Sequence, residues 1–266
     1  MSKRKTGALR KKDPRFNSFE TNYYEDTNKT FYSKPKNTQT VIDFNQAQQR
    51  LKPRKKVELI PKSVNQEKYI LALTDNQQDV VVVSGPAGTG KTYLSTLAAI
   101  QALRDKVVER IVLCRPAVSI ENENHGFLPG DLNSKLAPWV RPITDIFREF
   151  YTVKELEYMI SEEVIEFAPL GFLRGRTFKD TFLILDEAQN ASPLQLKSLL
   201  TRIGEGSKFV IDGDADQTDR TSRENGLQDL VNRLTTHKVK GISVCEFTDR
   251  DIQRHRLIGE ILKIYK

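Results

Sequence analysis

The sequence predicts an α/β domain in which a mostly parallel sheet is covered by helices on both faces. Short apolar runs alternate along the chain with longer stretches of helical periodicity, the pattern of strand–helix–strand units. Residues 80–83 are four valines in succession, as expected of a strand buried on both faces. A glycine-rich loop follows at residues 85–92 and leads into a helical pattern. This order of strand, loop and helix favours one domain with a phosphate site at the carboxyl edge of its sheet.

The predicted elements follow one another without an internal repeat. Strands are expected where apolar and β-branched residues cluster, at residues 79–84, 110–114, 164–167, 181–185, 209–211 and 242–247. Helices are expected at residues 66–73, 91–104, 132–151, 153–161, 193–203, 226–234 and 249–265. Pro193 suits a first helical position and Asp131 an N-cap. Pro138 and Pro142 are expected to kink or split the helix that contains them.

Charge separates a tail from the body of the protein. The net charge is +7, but residues 1–56 hold fifteen Lys and Arg against five Asp and Glu, and the rest of the chain carries a small negative excess. We therefore expect a basic, largely irregular and poorly ordered tail at residues 1–56 and the domain at residues 57–266. Aromatic residues are interleaved with the cations of the tail, and two interpretations stay open. The tail contacts a nucleic-acid backbone and its bases, or it is a solvated segment whose aromatics dock on the body.

Composition disfavours several other classes of protein. No apolar run approaches the roughly 18 residues of a membrane span, and the N-terminus lacks the apolar core of a secretory signal. The two cysteines, Cys114 and Cys245, fall in predicted buried strands, which argues against a disulfide framework and for a reducing cytoplasm. Three histidines and two distant cysteines form no pattern of metal ligands.

The loop at residues 85–92 matches the phosphate-binding loop, in which Gly and four further residues precede Gly-Lys-Thr. Its glycines let several N–H groups point at one phosphate chain, and the next helix adds its positive N-terminal end. Lys91 is expected to reach the β- and γ-phosphates of ATP, and the Thr92 hydroxyl to bind Mg²⁺. A glycine-rich loop in an unrelated α/β protein is the alternative. The nucleotide-binding residues that the motif predicts are Gly85, Pro86, Ala87, Gly88, Thr89, Gly90, Lys91 and Thr92.

Two further strand ends carry polar residues that suit the same site. Asp186 follows an apolar run and is expected to complete the Mg²⁺ site, while Glu187 is placed to polarise water for attack on the γ-phosphate. An acidic helix N-cap is the alternative for this pair. Gly213, Asp214 and Gln217 resemble the γ-phosphate-sensing motif of superfamily 1 helicases, and the same residues also suit a turn.

Two more side chains are candidate ligand-binding residues, and each has an alternative interpretation. Gln66 resembles the adenine-reading glutamine of those helicases, since an amide can donate to and accept from adenine together, and a surface glutamine is the alternative. Arg115 ends a predicted strand beside the phosphate loop. It is a candidate for contact with nucleic acid or phosphate, or a cap on the strand terminus.

The order and spacing of the motifs are those of a known family. The sequence resembles the PhoH family of P-loop ATPases over about residues 62–265. The resemblance rests on residues 85–94, 115–118, 126–132, 168–177, 185–190 and 200–204, with Gly213-Asp214, Gln217 and Arg254-His255. It implies a RecA-like P-loop NTPase domain, ATP hydrolysis, a link to RNA metabolism, and self-assembly into a ring, often a hexamer. The chain shows neither the nuclease nor the KH domain of some relatives, which would suit a phage-encoded member.

A single RecA-like domain lacks the arginine that two-domain helicases place against the γ-phosphate from their second domain. We expect a neighbouring subunit to supply one, as arginines in this position contribute large rate factors. The candidates are Arg174, Arg176 and Arg254. A structural ion pair is the alternative for each of them.

Three functions follow from these observations. The leading one is a cytoplasmic, oligomeric ATPase that couples hydrolysis to binding, remodelling or unwinding of RNA or single-stranded nucleic acid. The second is a binding protein that uses ATP as a conformational switch with little turnover. A small-molecule kinase is disfavoured by Glu187 and Gln217, because a kinase seldom needs a water-activating acid.

Overall fold

The computed structural model describes residues 55–116, 132–215 and 225–253, and of residues 132–138 the backbone alone. All of them lie in one compact unit, Leu51–Lys266. The predicted N-cap Asp131, the sensor Gln217, Arg254 and nearly all of the basic tail are outside the described residues.

The described helices and strands alternate as the sequence predicts. The helices are α1 (Val64–Thr74), α2 (Lys91–Arg104), α3 (Leu132–Arg148), α4 (Val153–Ser161), α5 (Pro193–Leu200) and α6 (Gly226–Thr236). The strands are β1 (Val80–Ser84), β2 (Arg110–Arg115), β3 (Ile165–Pro169), β4 (Thr181–Leu185), β5 (Lys208–Gly213) and β6 (Ile242–Glu246). Short 3₁₀ turns lie at Leu170–Leu173, Ala188–Asn190 and Asp249–Asp251. None of the described helices is both long and apolar enough to cross a membrane.

The described strands form one six-stranded sheet in the order β3-β2-β4-β5-β1-β6, and neighbouring strands pair in parallel. The strand that precedes the phosphate loop is thus separated by one strand, β5, from the strand that ends in the acidic pair. The register aligns Ser84 with Gly213 on one side and with Glu246 on the other. This order and the helices on both faces confirm the predicted RecA-like α/β domain.

Each face of the sheet has its own core. On one face, α1 to α4 pack on the alternate side chains that include Val81, Val83 and Ile184. On the other face, α5 and α6 pack on the intervening side chains, among them Val82 and Leu185. Because both faces are covered, the central strands are apolar without alternation, and functional side chains are confined to the strand ends.

Three local predictions differ from the structure in part. The helix with Pro138 and Pro142 was expected to kink or split, and it is not split, since α3 runs through both prolines. The helix after Pro193 ends at Leu200 rather than at 203, because the chain turns so that Ile203 pairs with Phe178. The chain from Asp249 begins as a 3₁₀ turn rather than as the start of the predicted helix 249–265, of which residues 254–265 are outside the described residues.

The cysteines lie in the predicted strands, but one of them differs in burial. Cys114 is buried in β2, whereas Cys245 is half-buried because β6 is the edge strand of the described sheet. Both are free thiols, and burial raises the pKa of each. The expectation of no disulfide between them therefore agrees with the structure.

Candidate functional site

The phosphate loop is shaped by a close approach of β6 to its first residue. Gly85 has φ of 151°, and a Cβ atom there would lie 2.6 Å from both the Cβ and the carbonyl oxygen of Phe247. Such contacts are too short for any side chain. Two backbone bonds fix the neighbourhood: the N–H of Phe247 donates to Ser84 at 2.8 Å, and that of Gln253 to Gly88 at 2.9 Å.

The loop is arranged to receive an anion. Helix α2 begins at Lys91 after an N-cap glycine, Gly90, which has no side chain to satisfy the first N–H groups of the helix. The Lys91 ammonium donates to the carbonyls of Gly85 and Pro86 at 2.7 and 3.0 Å. A buried cation on two loop carbonyls and uncapped helix N–H groups suit a phosphate chain, so the residues present fit a nucleoside triphosphate.

The two predicted metal ligands meet across the sheet. The Thr92 hydroxyl donates to Oδ1 of Asp186 at 3.1 Å, although 94 residues separate them. Burial raises the pKa of Asp186, and the neighbouring Glu187 raises it further, while Arg115 and the Thr92 hydroxyl oppose the rise. A carboxylate that is costly to keep charged in isolation is stabilised by a cation.

Asp212 is a third acid at this edge. It lies in β5 with 1% of its surface exposed, and its Oδ2 has no hydrogen-bond partner among the described residues. Burial raises the pKa of Asp212, and the charge of Asp186 adds to the rise, while Lys91 and Thr92 lower it. A buried oxygen without a partner, beside a second carboxylate and a threonine hydroxyl, fits a divalent cation better than an apolar core.

Glu187 is held in a strained backbone conformation. Its φ of 55° is left-handed, which is unusual for a non-glycine residue and is often found where function requires it. The N–H of Asn190 donates to its carbonyl at 3.0 Å and stabilises the turn. As a result the acidic pair diverges: Asp186 meets Thr92, while Glu187 points to the ends of β2 and β5.

Both carboxylate oxygens of Glu187 have partners. Nη2 of Arg115, the last residue of β2, lies 3.1 Å from Oε1. The amide nitrogen of Gln189 donates to Oε2 of Glu187. The amide oxygen of Gln189 accepts from the N–H of Asp214 at 3.1 Å. A Cβ at Gly213 would lie 2.4 Å from the amide oxygen of Gln189, so a side chain here would displace that amide. A polar chain thus joins the ends of β2, β4 and β5.

Gln66 lies in α1 and contacts the phosphate loop. Its amide nitrogen donates to the carbonyl of Thr89 at 2.8 Å, and its oxygen accepts from the N–H of Lys62 at 2.7 Å. With 3% of its surface exposed, it is not the surface glutamine of the alternative interpretation. In this structure the amide supports the loop, and the reading of adenine stays a prediction.

The segment after β6 closes the loop from the other side. Asp251 accepts from the amide of Asn65 at 2.9 Å and from the N–H of Thr248 at 2.7 Å. These contacts join the start of α1 to the residues that reach Gly88. The segment therefore fixes the backbone that leads to Arg254, although Arg254 itself is outside the described residues.

The two described candidate arginines differ in their contacts. Arg176 donates to both oxygens of Glu166 at 2.5 and 2.7 Å and stacks on Phe178 with 4.9 Å between its guanidinium carbon and the ring centre. The structural alternative is therefore observed for Arg176. Arg174 is exposed, and no hydrogen bond or ion pair of its side chain is found with the described part of the chain.

Comparison with known proteins assigns the family. Residues 58–266 match the family model described as PhoH-like protein. The chain belongs to the PhoH-like family. A PhoH-like protein of Mycobacterium tuberculosis (strain ATCC 25618 / H37Rv) is 44% identical over 206 residues, which cover 77% of this chain and 57% of the relative. That of Bacillus subtilis (strain 168) is 42% identical over 205 residues, with 77% and 63% covered.

The PhoH-like chain thus spans little more than half the length of the relatives that it matches. Among solved structures, the Hef helicase domain of Pyrococcus furiosus gives a TM-score of 0.43 at 13% identity, covering 73% of this chain and 39% of that chain. Family and loop together make this a protein of the P-loop ATPase type.

Sequence reasoning missed three features of the PhoH-like site. Asp212 directly follows the predicted strand 209–211 and was assigned no role, whereas the structure includes it in β5; its only signal was a charged residue between an apolar run and Gly213. The link through Gln189 and the pairing of Arg115 with Glu187 depend on which strands are neighbours. No spacing along the chain reveals that.

Proposed function

We propose that this PhoH-like protein binds ATP with Mg²⁺ at the carboxyl edge of its sheet and hydrolyses the γ-phosphate. The observation that carries the proposal is the contact of Thr92 with Asp186, which joins the phosphate loop to the acidic strand end at 3.1 Å. A fortuitous glycine-rich loop would not have such a partner. The aligned ends of β1 and β5 supply the rest of the site.

The residues divide the work as follows. Lys91 leaves the loop carbonyls and binds the β- and γ-phosphate oxygens. Thr92 and Asp186, with Asp212 as a further acid at this edge, would hold Mg²⁺, which would supply positive charge to the phosphate oxygens. Glu187 orients a water and accepts its proton during attack. The γ-phosphoryl group passes to that water, and ADP leaves.

Hydrolysis is tested by phosphate release without any added acceptor. Lys91→Ala is expected to lose nucleotide binding, whereas Glu187→Gln keeps binding and loses about 10²–10⁴-fold in kcat. Lys197→Ala, which removes an exposed lysine of α5, serves as the control. Equal turnover in Glu187→Gln and the unmodified protein would contradict the assignment of Glu187. Phosphate transfer that required a small-molecule acceptor would indicate a kinase instead.

We further propose that the protein acts as a ring in which neighbouring subunits share each site. Subunit mixing tests this. If Arg174 acts on the neighbour, Arg174→Ala and Glu187→Gln are each inactive alone. Mixing them restores activity, because some interfaces combine an intact glutamate with an intact arginine. The same test applies to Arg254 and, despite its ion pair, to Arg176. A particle mass of one subunit with and without ATP would contradict the ring.

Coupling to RNA or single-stranded nucleic acid is the final part of the proposal. It is supported by the basic sequence of the tail and by the family. Deletion of residues 1–54 removes thirteen Lys and Arg but leaves Lys55, whose ammonium lies 2.6 Å from Glu149 in the body. The deletion is expected to weaken binding and to flatten its salt dependence by about 0.7 per lost phosphate contact on a single strand. An unchanged salt slope would assign the tail another role.

The alternative is an ATP-dependent conformational switch with little turnover. The engagement of both Glu187 oxygens favours it, since a carboxylate held by two donors is poorly available to water. This function predicts normal nucleic-acid binding by Glu187→Gln with ATP and loss of ATP-dependent binding by Lys91→Ala. A kcat that rises severalfold with RNA would exclude it.

A further inference from the structure

The ion pair between Arg115 and Glu187 is unusual in its position. Arg115 is the last residue of β2, and β4 and β5 lie between β2 and the strand that leads into the phosphate loop, yet its Nη2 lies 3.1 Å from the oxygen of the proposed water-activating acid. The side chains are 33% and 36% exposed, so the pair is open to solvent and to a ligand.

The pair restrains an acid that needs freedom of movement. Oε1 of Glu187 faces Arg115, and Oε2 accepts from Gln189. Glu187, with its left-handed backbone, contacts the end of β2, whereas the adjacent Asp186 contacts Thr92. With one oxygen facing a guanidinium and the other accepting from an amide, part of the capacity of this carboxylate to bind and orient a water is already used. In the described structure Glu187 is therefore held in a resting position.

We propose that Arg115 is a positioning residue that holds Glu187 at rest, and that a nucleic-acid phosphodiester withdraws Arg115 and so starts hydrolysis. This inference rests on the proposed ATPase function and gives it a mechanism of regulation. A guanidinium binds a phosphate through two parallel hydrogen bonds. Its single contact with Glu187 is weaker, so a phosphodiester at this edge competes for Arg115.

The exposure of the pair limits the size of the effect. Ion pairs that are a third exposed favour the paired state by no more than about fivefold. Loss of the arginine therefore raises the basal rate by roughly two- to fivefold, and a larger rise would need another cause. The γ-phosphate of bound ATP is a second possible source of phosphate for Arg115. Turnover with ATP alone distinguishes that source from nucleic acid.

The first experiment measures phosphate release at saturating ATP and Mg²⁺, with and without a single-stranded polyuridine oligonucleotide. Arg115→Ala is expected to raise kcat without RNA two- to fivefold, to leave the KM for ATP unchanged, and to lose stimulation by RNA. Arg115→Lys keeps the cation and restores both the low basal rate and part of the stimulation. The control is Arg233→Ala, which removes an exposed arginine paired with Asp229 at 2.7 Å on α6.

A fall in basal kcat with Arg115→Ala would show that the arginine assists hydrolysis, as a γ-phosphate contact would, and would overturn the proposal. An unchanged basal rate with full RNA stimulation would overturn it as well. In both cases the ATPase function itself would stand.

A second measurement does not depend on turnover. Without nucleotide, Glu187→Gln removes the competitor for Arg115, so affinity for the oligonucleotide is expected to rise by up to about fivefold. The rise is expected to vanish in the double variant Arg115→Ala/Glu187→Gln, and Asp229→Asn, which removes a comparable paired carboxylate, leaves affinity unchanged. If no variant hydrolyses ATP but these affinity changes are observed, the competition between Glu187 and the oligonucleotide for Arg115 stands and the ATPase function falls. An equal rise in the double variant, or no binding of the oligonucleotide, would overturn the proposal.

Discussion

Replacement of Asp251 by Asn tests how the segment after β6 supports the phosphate loop. Burial disfavours the charge of Asp251, but hydrogen bonds from Asn65, Ser63 and Thr248 outweigh it and lower the pKa to about 2 from 3.8. One pKa unit corresponds to about 1.4 kcal/mol, so the carboxylate contributes up to roughly 2 kcal/mol to folding. Asparagine keeps part of these hydrogen bonds, so we expect Asp251→Asn to lose about 1–2 kcal/mol at pH 7.

The sign of the pH dependence follows from the lowered pKa. A carboxylate whose pKa is depressed by folding stabilises the protein above its unfolded pKa near 3.8, and this contribution is lost as the pH falls toward 2. The stability difference between the unmodified protein and Asp251→Asn should therefore be constant from pH 7 to about 5. It should shrink below about pH 4.

Urea unfolding at several pH values measures this difference. Asp249→Asn is the matched control, since Asp249 lies in the same turn but is exposed, and a change within about 0.5 kcal/mol is expected. Nucleotide affinity should fall in Asp251→Asn as well, because the N–H of Gln253 is held against Gly88 by this turn. Equal losses in the two variants, or a difference that persists undiminished to pH 3, would refute the reasoning.

Three further predictions concern the site and its supports. Gly213→Ala places a Cβ 2.4 Å from the amide oxygen of Gln189, so it should cost about 1–3 kcal/mol in urea unfolding and lower kcat; unchanged values would mean that the amide moves freely. Gln66→Ala should weaken ATP and GTP binding alike, measured with labelled nucleotides, if the amide only supports the loop. Selective loss of ATP binding would instead support the reading of adenine. Arg176→Ala leaves the Glu166 carboxylate, whose side chain is 19% exposed, without its cation, and should lower the free energy of unfolding by about 1–3 kcal/mol. Arg176→Lys should recover part of this loss. No change in the unfolding midpoint would contradict a structural role.

The phosphate loop shows how much local sequence can predict. Residues 85–92 and their flanking strand and helix lie where the motif requires, because glycine content, strand burial and helix periodicity are local properties. The same holds for Asp186, which follows a strand whose limits were predicted correctly. The prolines of α3 do not split it, because local propensity is overridden when packing holds a helix together.

The alternation of strands and helices, the loop and the acidic pair could be predicted from the sequence, since each depends on residues close together in the chain. The three-dimensional contacts were needed to see that β5 separates β1 from β4, that Asp212 is buried beside Asp186, and that Arg115 pairs with Glu187. These contacts depend on which strand ends are neighbours at the carboxyl edge, and strand order is a property of long-range packing. The candidate site residues could therefore be predicted from the sequence, whereas the ion pair between Arg115 and Glu187 could be found only from the fold.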